Sequence, residues 1–159
     1  MREAKLSPEA LARAWRLLLT LCTVQLLLAG CTGDPFALEA SGPFRYQAAI
    51  GPAFDRVAIL VTVLNRSGDD LQVNPADFVA RDAEHSIYAS NPAATIADAR
   101  LAAGAPGLSG ALPLPTITLR AEDVLTGFVV FDVPSGVSLV ELVWRQSDAD
   151  TVVALCPTR

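Results

Sequence analysis

Few residues in this chain have the type and spacing to do chemistry, and the strongest candidate is a cysteine near the N-terminus. Leu28-Ala29-Gly30-Cys31 closes an apolar run and reads as a bacterial lipobox. The small residues before the cysteine admit a signal peptidase, the cut falls between Gly30 and Cys31, and the Cys31 sulfur carries the lipid as a thioether. The upstream chain fits this reading. Arg2, Lys5, Arg13 and Arg16 form a basic stretch diluted by Glu3 and Glu9. Leu17 to Ala29 then makes an apolar segment too short to span a bilayer as a helix. A single acyl chain holds a protein only marginally, whereas the diacylglycerol that such maturation supplies anchors it stably. Thr32 follows the cysteine in place of Asp, so the usual signal for retention at the inner membrane is absent.

The remaining candidates are sparse. His85 is the only histidine, and as a catalytic base it needs a nucleophile and an orienting carboxylate close by. Asp82 and Glu84 flank it in what reads as a surface hairpin. Ser109, in Gly107-Leu108-Ser109-Gly110, lacks the strand-turn-helix setting of a hydrolase elbow. No phosphate-binding glycine loop, zinc spacing or cofactor fingerprint occurs, so no cofactor is expected. A soft copper site would need clustered Met and His, and the chain has one of each. Asp69-Asp70 and Asp148-x-Asp150 place hard oxygens in turns, where calcium or solvent could meet them. Cys22 leaves with the leader and Cys31 takes lipid, which leaves Cys156 alone. It reads either as a small apolar residue ending the last strand or as a thiol for a partner chain.

Composition narrows the partners. Without residues 1–30 the chain has 129 residues, with 8 basic and 15 acidic, a formal charge of −7 and no lysine. That is one domain, large enough to bury a core without disulfides. Its charge repels phosphate backbones, so nucleic-acid binding is not expected. Attachment to a membrane must then rest on the lipid rather than on basic residues.

The elements that position these residues read mostly as strands. Residues 32–43 form a tether of at most about 40 Å. Strands follow at Phe44–Ile50, Arg56–Leu64, Leu71–Asn74, Phe78–Arg81 and Ser86–Ala89, and again at Leu114–Leu119, Val124–Val133, Val137–Arg145 and Thr151–Cys156. In Arg56–Leu64, Val57, Ile59, Val61 and Val63 share one face, and Ala58, Leu60, Thr62 and Leu64 share the other. Apolar on both faces, this run is predicted to be a central strand. Residues 90–111 interrupt the pattern with an Ala-, Gly- and Pro-rich stretch in which Thr95–Ala103 could form a short helix. No charge occurs between Arg100 and Arg120. Leu101, Leu108, Leu112 and Leu114 in this neutral stretch either complete the core or expose an apolar surface for a partner. Seven to nine short strands with at most one short helix predict an all-β, antiparallel β-sandwich.

The order VAILVTVLNRSGDDLQVNPADFVARD, then LTGFVVFDVP, resembles the telokin-like, immunoglobulin-fold domains of bacterial lipoproteins and secreted antigens. Asn65, Pro75, Phe78, Gly127, Phe131 and Pro134 occupy that family's pattern, and the match spans roughly residues 44–156. Arg120-Ala121-Glu122-Asp123 stands where the family carries a glycine-containing turn. The resemblance implies an immunoglobulin-like fold and no particular activity. The expected chain is a helical, cleavable leader (1–30), a lipidated cysteine with its tether (31–43) and a sandwich (44–156). It would be fixed to the cell membrane or outer membrane on the extracytoplasmic side, as a non-enzymatic accessory or interaction module. A metal-dependent hydrolase using Asp residues and a purely structural envelope component are the alternatives.

Overall fold

A computed structural model describes residues 35–46, 51–146 and 150–155. The leader, Cys31 and Cys156 lie outside the described residues. Among the described residues nine strands run in chain order: β1 (Phe36–Tyr46), β2 (Phe54–Asn65), β3 (Leu71–Val73), β4 (Phe78–Asp82), β5 (Ile87–Ala89), β6 (Ile117–Leu119), β7 (Val124–Pro134), β8 (Leu139–Arg145) and β9 (Asp150–Ala154). Two short helices, α1 (Pro92–Ala97) and α2 (Ala99–Ala103), lie between β5 and β6, and a 3-10 turn covers Pro75–Asp77. All ladders between these strands are antiparallel. One sheet has the order β1-β2-β7, a second β5-β4-β8-β9, and β3 pairs with β6. The molecule is an antiparallel β-sandwich.

The two strongest apolar runs explain its centre. β2 and β7 pair over their whole length, from Phe54 opposite Pro134 to Leu64 opposite Val124. Side chains alternate across a strand, so odd positions of both face one way and even positions the other. Val57, Ile59, Val61, Val63, Val129, Phe131 and Val133 turn inward and are buried against Phe78, Ala80, Leu142 and Trp144 of the second sheet. Phe78 stacks on Trp144 with ring centroids 5.5 Å apart, and Phe36 meets the same indole edge-on at 4.9 Å.

The outer face of β2 and β7 is covered as well. Ala58, Phe128 and Val130 pack against Ala94, Ala102, Ala105 and Leu108 from the segment after β5, forming a second cluster. This segment is a strap built from small residues. Asn91 caps α1 by accepting from Ala94 N–H at 2.9 Å, and Pro92 occupies the first turn, where its missing N–H has no cost. Six- and five-residue helices are too short to persist alone, so sheet contacts must hold them. An alanine methyl contributes only about 0.8 kcal/mol on burial, which leaves Leu108 as the strap's one large apolar anchor.

Two points bear on the sequence reading, the first of them a departure from it. The expected tether of residues 32–43 is strand from Phe36 onward, because Phe36, Leu38 and Ala40 alternate inward and pack on the core. The Gly42-Pro43 pair at the end of that stretch lies at an irregularity within β1, between Ser41 and Phe44. The other concerns the β6–β7 turn. Glu122 adopts φ 64°, a left-handed conformation that costs a residue with a Cβ roughly 1 kcal/mol. Its N–H donates to Asn65 C=O at 2.9 Å, so the turn keeps this geometry despite the strain. Replacing Glu122 by glycine is expected to raise stability by about 1 kcal/mol. A lower urea midpoint for that variant would refute this account of the turn.

Candidate functional site

Two concave regions stand out, one polar and one apolar. The polar one lies where β1 ends and β2 begins, a depression of about 420 Å³ lined by Arg45, Tyr46, Phe54, Asp55 and Arg56. Around it the charges are already paired. Arg45 bonds Asp55 and the Val137 carbonyl. Arg56 reaches Asp98, at the joint of α1 and α2, and donates Nε–H to Asp132 of β7 at 2.5 Å. Tyr46 O–H donates to Asp98 at 3.2 Å, and Asn91 Nδ2 donates to the second Asp132 oxygen at 2.7 Å. Burial, then the charge of Asp98, pushes the Tyr46 phenol well above its ordinary range. Burial alone would lower the Arg56 guanidinium, but its bonds to Asp132 and Asp98 raise it. The phenol therefore stays protonated and the guanidinium charged. These groups latch both ends of α1 to the sheet. Nothing local in the sequence points to them, since the Arg56 partners lie 42 and 76 positions away.

The apolar region is a groove of about 650 Å³ beside β7. Pro75, Pro92, Pro113 and Pro115 give it rigid walls, and Leu125 and Thr126 of β7 form part of its lining. No lining residue is charged. Ile96 and Leu112 stand at this groove 73% and 72% exposed. The segment carrying Leu112 is fixed to the β7 edge, where Leu114 N–H donates to Phe128 C=O and Phe128 N–H to Leu112 C=O.

Of the four leucines singled out as core or partner surface, the structure divides two from two. Leu108 and Leu114 are buried and belong to the core, the first of the two alternatives, so neither offers a partner surface. Leu101 and Leu112 are exposed, at 54% and 72%. Alternation could not separate them, because the strap has no regular period.

The sequence candidates for chemistry stay apart. His85 is exposed in the β4–β5 turn at φ 63°, its N–H bonded to Asp82 C=O. Asp82 accepts from the Glu84 and Ser86 N–H groups and from Tyr88 O–H at 2.8 Å. Burial would raise its pKa, but these bonds together lower it below the usual carboxylate value, led by the one from Tyr88. Ser109 is exposed in a loop, and Asp69 and Asp70 lie in the exposed β2–β3 turn. Asp148 lies outside the described residues. Among the described residues no three His, Cys, Asp or Glu side chains converge to hold a metal, and no helix is long and apolar enough to cross a membrane.

This architecture has been seen before. The structure matches a secreted protein of Mycobacterium tuberculosis, MPT63, with a TM-score of 0.50 and 18% identity, over 75% of this chain and 82% of that one. The ycdA protein of Bacillus subtilis gives 0.49 and 14%, over 77% of this chain and 37% of its own. The yjhA protein of the same species gives 0.45 and 18%, over 76% and 90%. At such identities the likeness to MPT63 is one of fold. No protein-family profile and no curated protein matches the sequence.

Proposed function

We propose that this chain is a lipid-anchored, extracytoplasmic envelope protein whose immunoglobulin-like sandwich, of the telokin-like kind, serves as a non-enzymatic accessory or interaction module. The observation that carries the reading is the contrast between the two concave regions. In the polar one, Asp55, Asp98 and Asp132 each hold a bond that fastens one element to another, as Asp82 does in its hairpin. The open surface at the other is neutral and apolar, with Leu112 and Ile96 unburied, as is Leu101 elsewhere on the strap. Apolar side chains left in water suit contact with something other than solvent. The secreted character of MPT63, which shares the fold, accords with export.

The anchor is tested by replacing Cys31 with serine in cells that process lipoproteins. The wild-type chain is expected in the membrane fraction, resistant to salt washing, and the Cys31→Ser chain is expected to be released from it. Equal tight attachment of both would overturn the reading.

A further inference from the structure

Lipid anchoring, as proposed above, sets a distance that the fold makes short. Only Thr32, Gly33 and Asp34 separate Cys31 from Pro35, so four Cα steps reach at most about 14 Å. Pro35 belongs to the sandwich itself, since its C=O accepts from Arg66 N–H at 2.9 Å. Asn65 N–H in turn donates to Asp123 C=O at 3.1 Å. The start of β1, the β2–β3 turn and the β6–β7 turn therefore share one end of the molecule, and a bilayer holding Cys31 must lie against it.

That end is not uniform. Its tip carries Asp69, Asp70, Glu122 and Asp123 against Arg66 and Arg120, all exposed, a surface that favours headgroup water. Beside the tip, Val124 opens β7 with 59% of its surface exposed. Two strand spacings, about 10 Å, separate β1 from β7, so Val124 is within reach of the same bilayer. From Val124 the uncharged surface continues through Leu125 and Thr126 into the proline-walled groove with Leu112 and Ile96. A charge-free apolar flank beside an acidic tip fits the boundary between headgroups and acyl chains, where apolar side chains bury about 5–10 Å deep. We propose that this flank, with Val124 and Leu112 as its contacts, rests in the lipid interface and fixes the tilt of the sandwich on the membrane.

The test uses the full chain, processed in cells, purified in detergent and reconstituted into phosphatidylcholine vesicles with brominated acyl chains. Val124→Trp and Leu112→Trp place a quenchable indole on the flank at exposed positions. Phe54→Trp places one at the far end of β2, eleven residues and about 36 Å from Asn65. Each is read against the buried Trp144 of the parent chain, and an unchanged urea transition certifies the fold. The added emission at 124 and 112 is expected to fall by about half in brominated vesicles, and that at 54 to stay unchanged. Protein that floats with the vesicles while both flank indoles remain unquenched would overturn the seating but leave the anchor standing. Protein that fails to float would overturn the anchor, and the seating with it.

Discussion

Replacing Asn65 by alanine should lower stability by about 3 kcal/mol, read as a drop in the urea midpoint followed by Trp144 emission. Asn65 is fully buried, and its side chain uses both ends. Nδ2 donates to Asp69 C=O at 2.8 Å and to Leu119 C=O at 3.0 Å. Oδ1 accepts from Ser67 N–H at 3.0 Å and Ser67 O–H at 2.7 Å. The residue thus closes the β2–β3 turn and clasps the end of β6 to it. Alanine would strand the Leu119 carbonyl among apolar neighbours and release the turn, and an orphaned buried group costs about 1–3 kcal/mol. An isosteric variant isolates the cause. Asn65→Asp keeps the shape but turns a donor into an acceptor facing two carbonyls, so it should be at least as damaging. If Asn65→Asp unfolded at the wild-type midpoint, the clasp would not be what holds this end together.

Gly127→Ala should cost about 2–3 kcal/mol and loosen the groove wall. A Cβ at position 127 would stand 2.6 Å from Leu114 Cα and 2.8 Å from Leu114 N, both backbone atoms that cannot rotate aside. The glycine has ordinary strand geometry, so the penalty is contact and not conformation. The added methyl pushes segment 112–114 from β7, weakening its two hydrogen bonds to Phe128 and lifting Leu114 from the core. Proteolysis between residues 104 and 116 should accelerate in this variant. Gly68→Ala, where a Cβ would meet nothing within 4 Å, serves as the comparison and should shift stability by less than about 0.5 kcal/mol. Equal midpoints for the two variants would refute the close-approach argument.

The strands were legible where one physical signal dominated. Alternation in Arg56–Leu64 sorted Val57, Ile59, Val61 and Val63 from Ala58 and Leu60, and both sets have the faces expected of a doubly covered strand. β1 was half legible. Phe36, Leu38 and Ala40 alternate, but Gly42-Pro43 looks like punctuation, and only pairing with β2 carries the strand across it. Asn65 stands out in the sequence as a position of the family pattern, whereas its buried clasp depends on Leu119, 54 positions away. The Arg56 latch has the same character, because ion pairs between distant elements leave no local trace. The strap marks the limit of pattern reading, since its alanines fit a core and a loop equally well.

The early start of β1 has a mechanical corollary. A pull on the sandwich against an anchored Cys31 would load β1 along its own axis, and β1 is matched to β2 at nine positions. Tension in that direction shears the ladder, so its bonds share the strain together instead of parting one after another like a zipper. If Cys31 carries the proposed lipid, an attachment of this kind would resist detachment of the domain by flow or by tugging at its distal end.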